Sequence, residues 1–223
     1  MKLLSTLFGQ CIRLSTPEGA FNQNTHHANL FRDLLSHYGF LEGPSKLEDF
    51  DGDKGVTFRR GVFKGATIER FVMFTNGILA EGALETDTVQ EFLGDVVKWW
   101  HAQSGILMVH PAPPYEAFAS NLEVHSEIDL TSAFKPLEAI GRLVTDKLKG
   151  YGWTYKNYEV SKIALQSEAP PGSAEQPEIE FARRVGRPFS DQVYFSSAPL
   201  RTVDHLEYLN QLEAVFREIS PSA

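Results

Sequence analysis

The stretch Val56 to Leu84, VTFRRGVFKGATIERFVMFTNGILAEGAL, decides the fold class. It holds three β-branched or aromatic runs, Val56 to Phe63, Thr67 to Thr75 and Ile78 to Leu84, parted by Lys64-Gly65 and Asn76-Gly77. Runs of this composition between turn dipeptides are strands. Asn-Gly is a strong hairpin signal because both turn residues take positive φ. The expectation is an antiparallel meander.

Working outward, Thr86-Asp87-Thr88 starts a helix, with Glu91 three residues after Thr88 as a capping box requires. Its inner face is Val89, Phe92, Leu93, Val96, Val97 and Trp100. Upstream, residues 25 to 38 read as a helix capped by Thr25, with Leu30, Phe31, Leu34 and Leu35 at helical spacing and Gly39 at its end. Gly43-Pro44-Ser45 through Asp53 is loop chemistry.

Downstream, Ile106 to Val109 reads as a short buried strand, and Pro111, Pro113 and Pro114 interrupt the chain. Phe118, Leu122, Val124 and Ile128 then alternate with Asn121, Glu123, His125 and Glu127, the period of a strand with one wet face. A helix over 132 to 149 places Phe134, Leu137, Val144 and Leu148 inward and ends at Gly150. Strands follow at 154 to 166, 178 to 185 and 192 to 197, the first two joined by the polar loop Glu168 to Pro177. Thr202 caps a last helix whose inner stripe is Leu206, Leu209, Leu212, Phe216 and Ile219.

The halves share an order: helix, aromatic-glycine punctuation, three strands, helix. Leu35-Ser36-His37-Tyr38-Gly39-Phe40 matches Leu148-Lys149-Gly150-Tyr151-Gly152-Trp153. Tyr38 lies 48 residues before Thr86, and Tyr151 lies 51 before Thr202. The fold class is therefore α+β, antiparallel meanders flanked by helices, expected as two diverged helix-three-strand-helix halves. The divisions are 1–104, a Pro-rich connection at 105–117, and 118–223, packed as one compact unit. The strand register stays open, since Phe58-Arg59-Arg60 also matches Phe181-Ala182-Arg183-Arg184. The helix, meander, helix unit on an acidic chain is similar in outline to the small chaperones of bacterial secretion systems.

With 223 residues, 42% hydrophobic and 22% charged, the chain can build its own core without a staple. Its 16 Phe favour a sheet-rich interior. A net charge of -8 disfavours nucleic acid and favours a basic protein partner. Cys11 is the single cysteine, which excludes an intrachain disulfide and fits an inert thiol in a reducing compartment. Met1 to Cys11 superficially resembles an export signal, but the apolar run is short, Ser5 and Thr6 break it, and Gln10 precedes the cysteine. No run approaches the ~20 apolar residues of a membrane span. A cytoplasmic location is expected.

Asp49-Phe50-Asp51-Gly52-Asp53-Lys54-Gly55 resembles the start of a calcium loop, but Lys54 stands where the turn glycine belongs and Arg60 where the bidentate glutamate belongs. His26, His27 and His37, and likewise His101, His110 and His125, lack metal-ligand spacing. Phosphate loops, nucleophile elbows and zinc helices have no match in the sequence. No cofactor or metal is expected. Ser196-Ser197-Ala198-Pro199 reads as a strand-to-helix turn.

Arg59, Arg60 and Arg70 in one half and Arg183, Arg184, Arg187 and Arg201 in the other are candidates for an anion-binding cleft, although such residues also keep sheet faces soluble. Trp99, Tyr155 and Tyr158 are candidate protein-interface residues. The expected function is a non-enzymatic, cytoplasmic protein-binding protein of the chaperone, immunity or adaptor type. The rivals are a small-anion or nucleotide sensor or hydrolase using the arginines, and a structural subunit of a larger assembly.

Overall fold

A computed structural model describes residues 1–17, 27–105, 108–109, 115–128, 130, 137–152, 158, 160–166 and 178–219. Its strands are β1 (Lys2–Leu14), β2 (Thr16–Pro17), β3 (Val56–Phe63), β4 (Ala66–Phe74), β5 (Gly77–Gly82), β6 (Met108–Val109), β7 (Glu116–His125), β8 (Lys162–Leu165), β9 (Ile179–Arg183) and β10 (Val193–Ala198). Its helices are α1 (His27–His37), α2 (Thr86–Ser104), α3 (Glu138–Gly150) and α4 (Thr202–Ile219). Eight strands hydrogen-bond in the order β3-β4-β5-β1-β7-β10-β9-β8, so the chain is α+β. β2 and β6 form a separate two-residue pairing.

The chain divides into two compact units, one of Thr6–Asn121 with Pro199–Thr202, the other of Leu122–Ala198 with Met1–Ser5 and Val203–Ala223. In the first, the meander forms as expected, with Phe58 opposite Phe71 and Phe71 opposite Ala80. Both α1 and α2 pack on it. Phe31 lies 6.0 Å from Phe58 and 5.6 Å from Trp100, and Phe92 stands edge-on to Phe71 at 5.4 Å. Tyr38 is buried and donates its hydroxyl to Asp95 at 2.8 Å. Each such ring stabilises by roughly 2–3 kcal/mol through its burial.

In the second unit the described core has seven buried hydrophobic residues. Leu122 and Val124 of β7, Phe181 of β9, Tyr194 of β10 and Leu209 and Phe216 of α4 form it with Leu130. Phe181 stacks on Tyr194 at 4.9 Å. Glu213 of α4 accepts hydrogen bonds from Ser126 Oγ at 2.6 Å, from the Glu127 amide at 3.2 Å and from the Met1 amino group at 2.5 Å. Burial alone pushes its carboxyl up, but the bonds from Met1 and Ser126 outweigh that and hold it below the ordinary value.

Several local expectations are corrected. Lys64-Gly65 takes the doubly positive turn (φ 50° and 80°), but neither Asn76 nor Gly77 has positive φ. Gly77 is already in the ladder, opposite Leu14, and a Cβ there would lie 2.8 Å from the Arg13 carbonyl oxygen. That glycine serves close backbone approach rather than the turn. The capping box at Thr88 does not form: helix α2 starts at Thr86, and Glu91 pairs with Lys64 at 2.8 Å. Met1 to Cys11 lies almost entirely in a strand, where Cys11 is buried opposite Ala80. On the last helix, His205 and Glu213 are buried with Leu209, while Ile219 is exposed. On α3, Leu137 and Val144 face solvent rather than the core. Phe134 and the loop at 168–177 lie outside the described residues.

Candidate functional site

Helix α3 is seated by a face of small residues. A Cβ on Gly141 would stand 2.0 Å from the carbonyl oxygen of Tyr158, so the helix backbone presses directly on residue 158. Thr145, one turn on, is buried, donates its hydroxyl to Gly141 O at 2.9 Å and accepts the Tyr158 amide at 3.1 Å. Leu148 completes this i, i+4, i+7 face and is half-buried.

The apolar side chains lie elsewhere on the helix. Ile140 is 60% exposed, Leu143 67%, Val144 41% and Tyr151 74%, and with Lys147 they fall at i, i+3, i+4, i+7 and i+11, a continuous stripe. Leu137, 43% exposed, extends it at the N-terminal end. Tyr158 stands beside Gly141, itself half exposed. Single exposed apolar residues are ordinary; here five lie in a row along one helix and form a contiguous apolar patch. Helix α1 in the other unit shows the contrast, since its Phe31 and Leu34 are both buried.

The candidate arginines fall mostly against carboxylates. Arg60 pairs with Glu42, Arg70 with Glu81 at 2.7 Å, Arg184 with Glu123 at 3.0 Å, Arg187 with Glu123 at 3.9 Å, and Arg201 with Asp87. Arg183 lines a small groove with Arg184 and Arg187. Arg59 lines an open hollow of about 330 Å³ whose other charged lining is Glu42, Glu48 and Asp49, an environment that repels anions.

Of the aromatic candidates, Trp99 is half-buried and stacks on His37 at 5.4 Å, so its own chain takes up much of its ring. Tyr155 lies outside the described residues. Tyr158 borders the α3 stripe. The sequence reading missed Ile140 and Leu143, and assigned Leu137 and Val144 inward. Their exposure depends on which face the helix seats, and periodicity reports that a face exists rather than what covers it.

The acidic loop turns inward on its own backbone. Asp49 accepts the Ser45 and Lys46 amides at 2.8 Å, and Asp51 accepts the Asp53 amide at 3.0 Å. These bonds hold the Asp49 carboxyl below its ordinary range, and the Lys54 ammonium together with the Asp53 amide does the same for Asp51. Among the described residues no three His, Cys, Asp or Glu side chains group to hold a metal. His26 and His110 lie outside the described residues.

Ser196 and His205 approach at a nucleophile-base distance, Oγ to Nε2 at 2.8 Å. Both are fully buried, and the Ser196 hydroxyl donates to Glu180 O at 2.8 Å. The serine proton thus points away from the imidazole, and no substrate reaches the pair, so it serves packing. Burial pushes the Cys11 thiol up to about 12, with Glu116 adding to the shift, which leaves it an unreactive thiol. Among the described residues no helix is long and apolar enough to cross a membrane. Comparison with protein-family models and with curated proteins finds no match.

Proposed function

We propose that this chain is a non-enzymatic protein-binding protein of the cytoplasmic chaperone, immunity or adaptor type, with α3 as its docking face. The observation that carries the reading is the exposed stripe Ile140, Leu143, Val144 and Tyr151 on a helix that seats itself by Gly141 and Thr145. A helix that seats itself through Gly141 and Thr145 while exposing its longest apolar side chains keeps that apolar face for something else. The anion-sensor reading has less support, because five of the seven candidate arginines face carboxylates.

The test is affinity capture from the native host with the parent chain and with Ile140→Glu. A stoichiometric partner held by the parent and lost by the variant is expected. Recovery of no stoichiometric partner, or equal recovery by both chains, would sink the assignment.

The reading extends to the origin of the fold as two diverged copies of a helix, three-strand, helix unit. It is supported by matched registers: Phe58 opposite Phe71 opposite Ala80 in one copy, Ile163 opposite Phe181 opposite Ser196 in the other. Gly39 and Gly152 follow their helices with φ of 60° and 83°. Val89, Leu93 and Trp100 then correspond to His205, Leu209 and Phe216. This register matches Phe181 to Phe71 and not to Phe58.

A further inference from the structure

We infer that the occupant of the α3 face is an amphipathic helix of a partner protein that carries a carboxylate among its apolar residues. The inference rests on the protein-binding reading and names the partner's chemistry. Three observations lead to it.

The first is the shape of the face. α3 has thirteen residues and is about 20 Å long, and its own amide and carbonyl groups are engaged along the helix. It offers no strand edge. An extended segment laid across it would bury backbone groups with nothing to bond, whereas a helix satisfies them internally. Side chains at i, i+3, i+4, i+7 and i+11 form a ridge that a facing helix can receive.

The second is charge. Lys147 lies inside the stripe, between Val144 and Tyr151, and has no acidic partner among the described residues. The neighbouring Lys149 pairs with Asp146 at 3.3 Å and is already satisfied. Covering Lys147 with a purely apolar surface would leave an ammonium desolvated and unpaired, a strongly unfavourable outcome. A carboxylate opposite Lys147 removes that penalty. The net charge of -8 governs approach at long range and favours basic partners, whereas Lys147 acts at contact and sets register.

The third is extent. One helical face of this length falls short of the roughly 800 Å² per partner typical of a stable dimer. A second copy meeting through α3 alone is therefore a poor occupant, and a single partner helix is a suitable one.

The experiment uses the full chain and two fluorescein-labelled synthetic helical peptides. Both carry leucine at i, i+3, i+4, i+7 and i+11; they differ in having glutamate or lysine at the positions flanking the leucines. Anisotropy should show the glutamate peptide binding at least about tenfold more tightly than the lysine peptide. Lys147→Glu should invert that order, and Ile140→Glu should abolish both. Ile140 is exposed, so Ile140→Glu folds like the parent, and circular dichroism checks this for both variants. No binding of either peptide at about 100 µM, or equal binding of both, overturns the inference.

Light scattering that shows a dimer dissolved by Ile140→Glu would assign the face to a second copy instead. Sedimentation with phosphatidylglycerol vesicles, lost in the same variant, would assign it to lipid. If the peptides fail while the host partner still depends on Ile140, the docking face stands and only the acidic-helix chemistry falls.

Discussion

His205 sits in the interior with Nε2 2.8 Å from Ser196 Oγ, and burial pulls its pKa from 6.5 down to about 4. An unfolded histidine takes up its proton near 6.5, whereas the folded chain refuses it until about 4. The stability from this site is therefore complete above pH 6.5 and is lost as pH falls toward 4, by up to roughly 3 kcal/mol. Urea unfolding of the parent and His205→Leu between about pH 7 and 4.5 checks this. Carboxylates titrate in both proteins, so the difference between the two pH profiles isolates the histidine, and identical profiles would refute the assignment. Nothing adjacent to His205 marks it in the sequence. Of the stripe read from periodicity, Leu209 and Phe216 are core and Leu206 and Leu212 pack against it, while Ile219 is exposed; His205 and Glu213 join the face through polar partners a hydropathy pattern cannot register.

At the scale of elements, the starts of α2 and α4 cap each other. The Thr86 amide donates to Thr202 Oγ1 at 3.0 Å, and the Thr202 amide donates to Thr86 Oγ1 at 2.7 Å. Both threonines are buried, so each hydroxyl satisfies an amide that no water reaches. Thr86→Val and Thr202→Val should each cost roughly 1–2 kcal/mol in denaturant unfolding. If the two helices descend from one ancestral helix, the costs should agree within about 0.5 kcal/mol, and the double variant should depart from their sum because the hydroxyls also touch. A wide gap between the two single costs would count against duplication. Thr202 reads in the sequence as the cap of α4, but it is the first residue of that helix and its hydroxyl accepts the amide of Thr86 in α2, 116 residues away, which no local pattern could show. The same limit applies to α1 and α3. Both read as amphipathic, yet α1 buries Phe31 and Leu34 while α3 leaves Ile140, Leu143 and Val144 exposed.

At the scale of the whole molecule, the compact units do not follow a single cut in the chain. Met1–Ser5 belongs with Leu122–Ala198, and Pro199–Thr202 belongs with Thr6–Asn121. A fragment of residues 1–104 loses Glu116, which accepts from Arg13 at 2.8 Å and Gln90 at 2.6 Å, and also loses the Thr202 cap. A fragment of residues 118–223 loses Met1 and Leu3 from its core. Neither fragment should unfold cooperatively on its own when heated; one that melts sigmoidally at the parent's temperature would refute this.

The sequence by itself determined the α+β class, a three-stranded meander starting at Val56 and the approximate positions of the four described helices, because those follow from local periodicity and turn chemistry. It also determined an acidic chain whose single cysteine forms no internal disulfide. Only the tertiary structure decided that Met1 to Cys11 lies in a strand, that Gly77 serves close approach, and that α3 turns Ile140, Leu143, Val144 and Tyr151 outward. Each of these depends on residues far apart in sequence meeting in space. A helix's own pattern specifies which residues share a face, while the backbone it meets decides whether that face is covered.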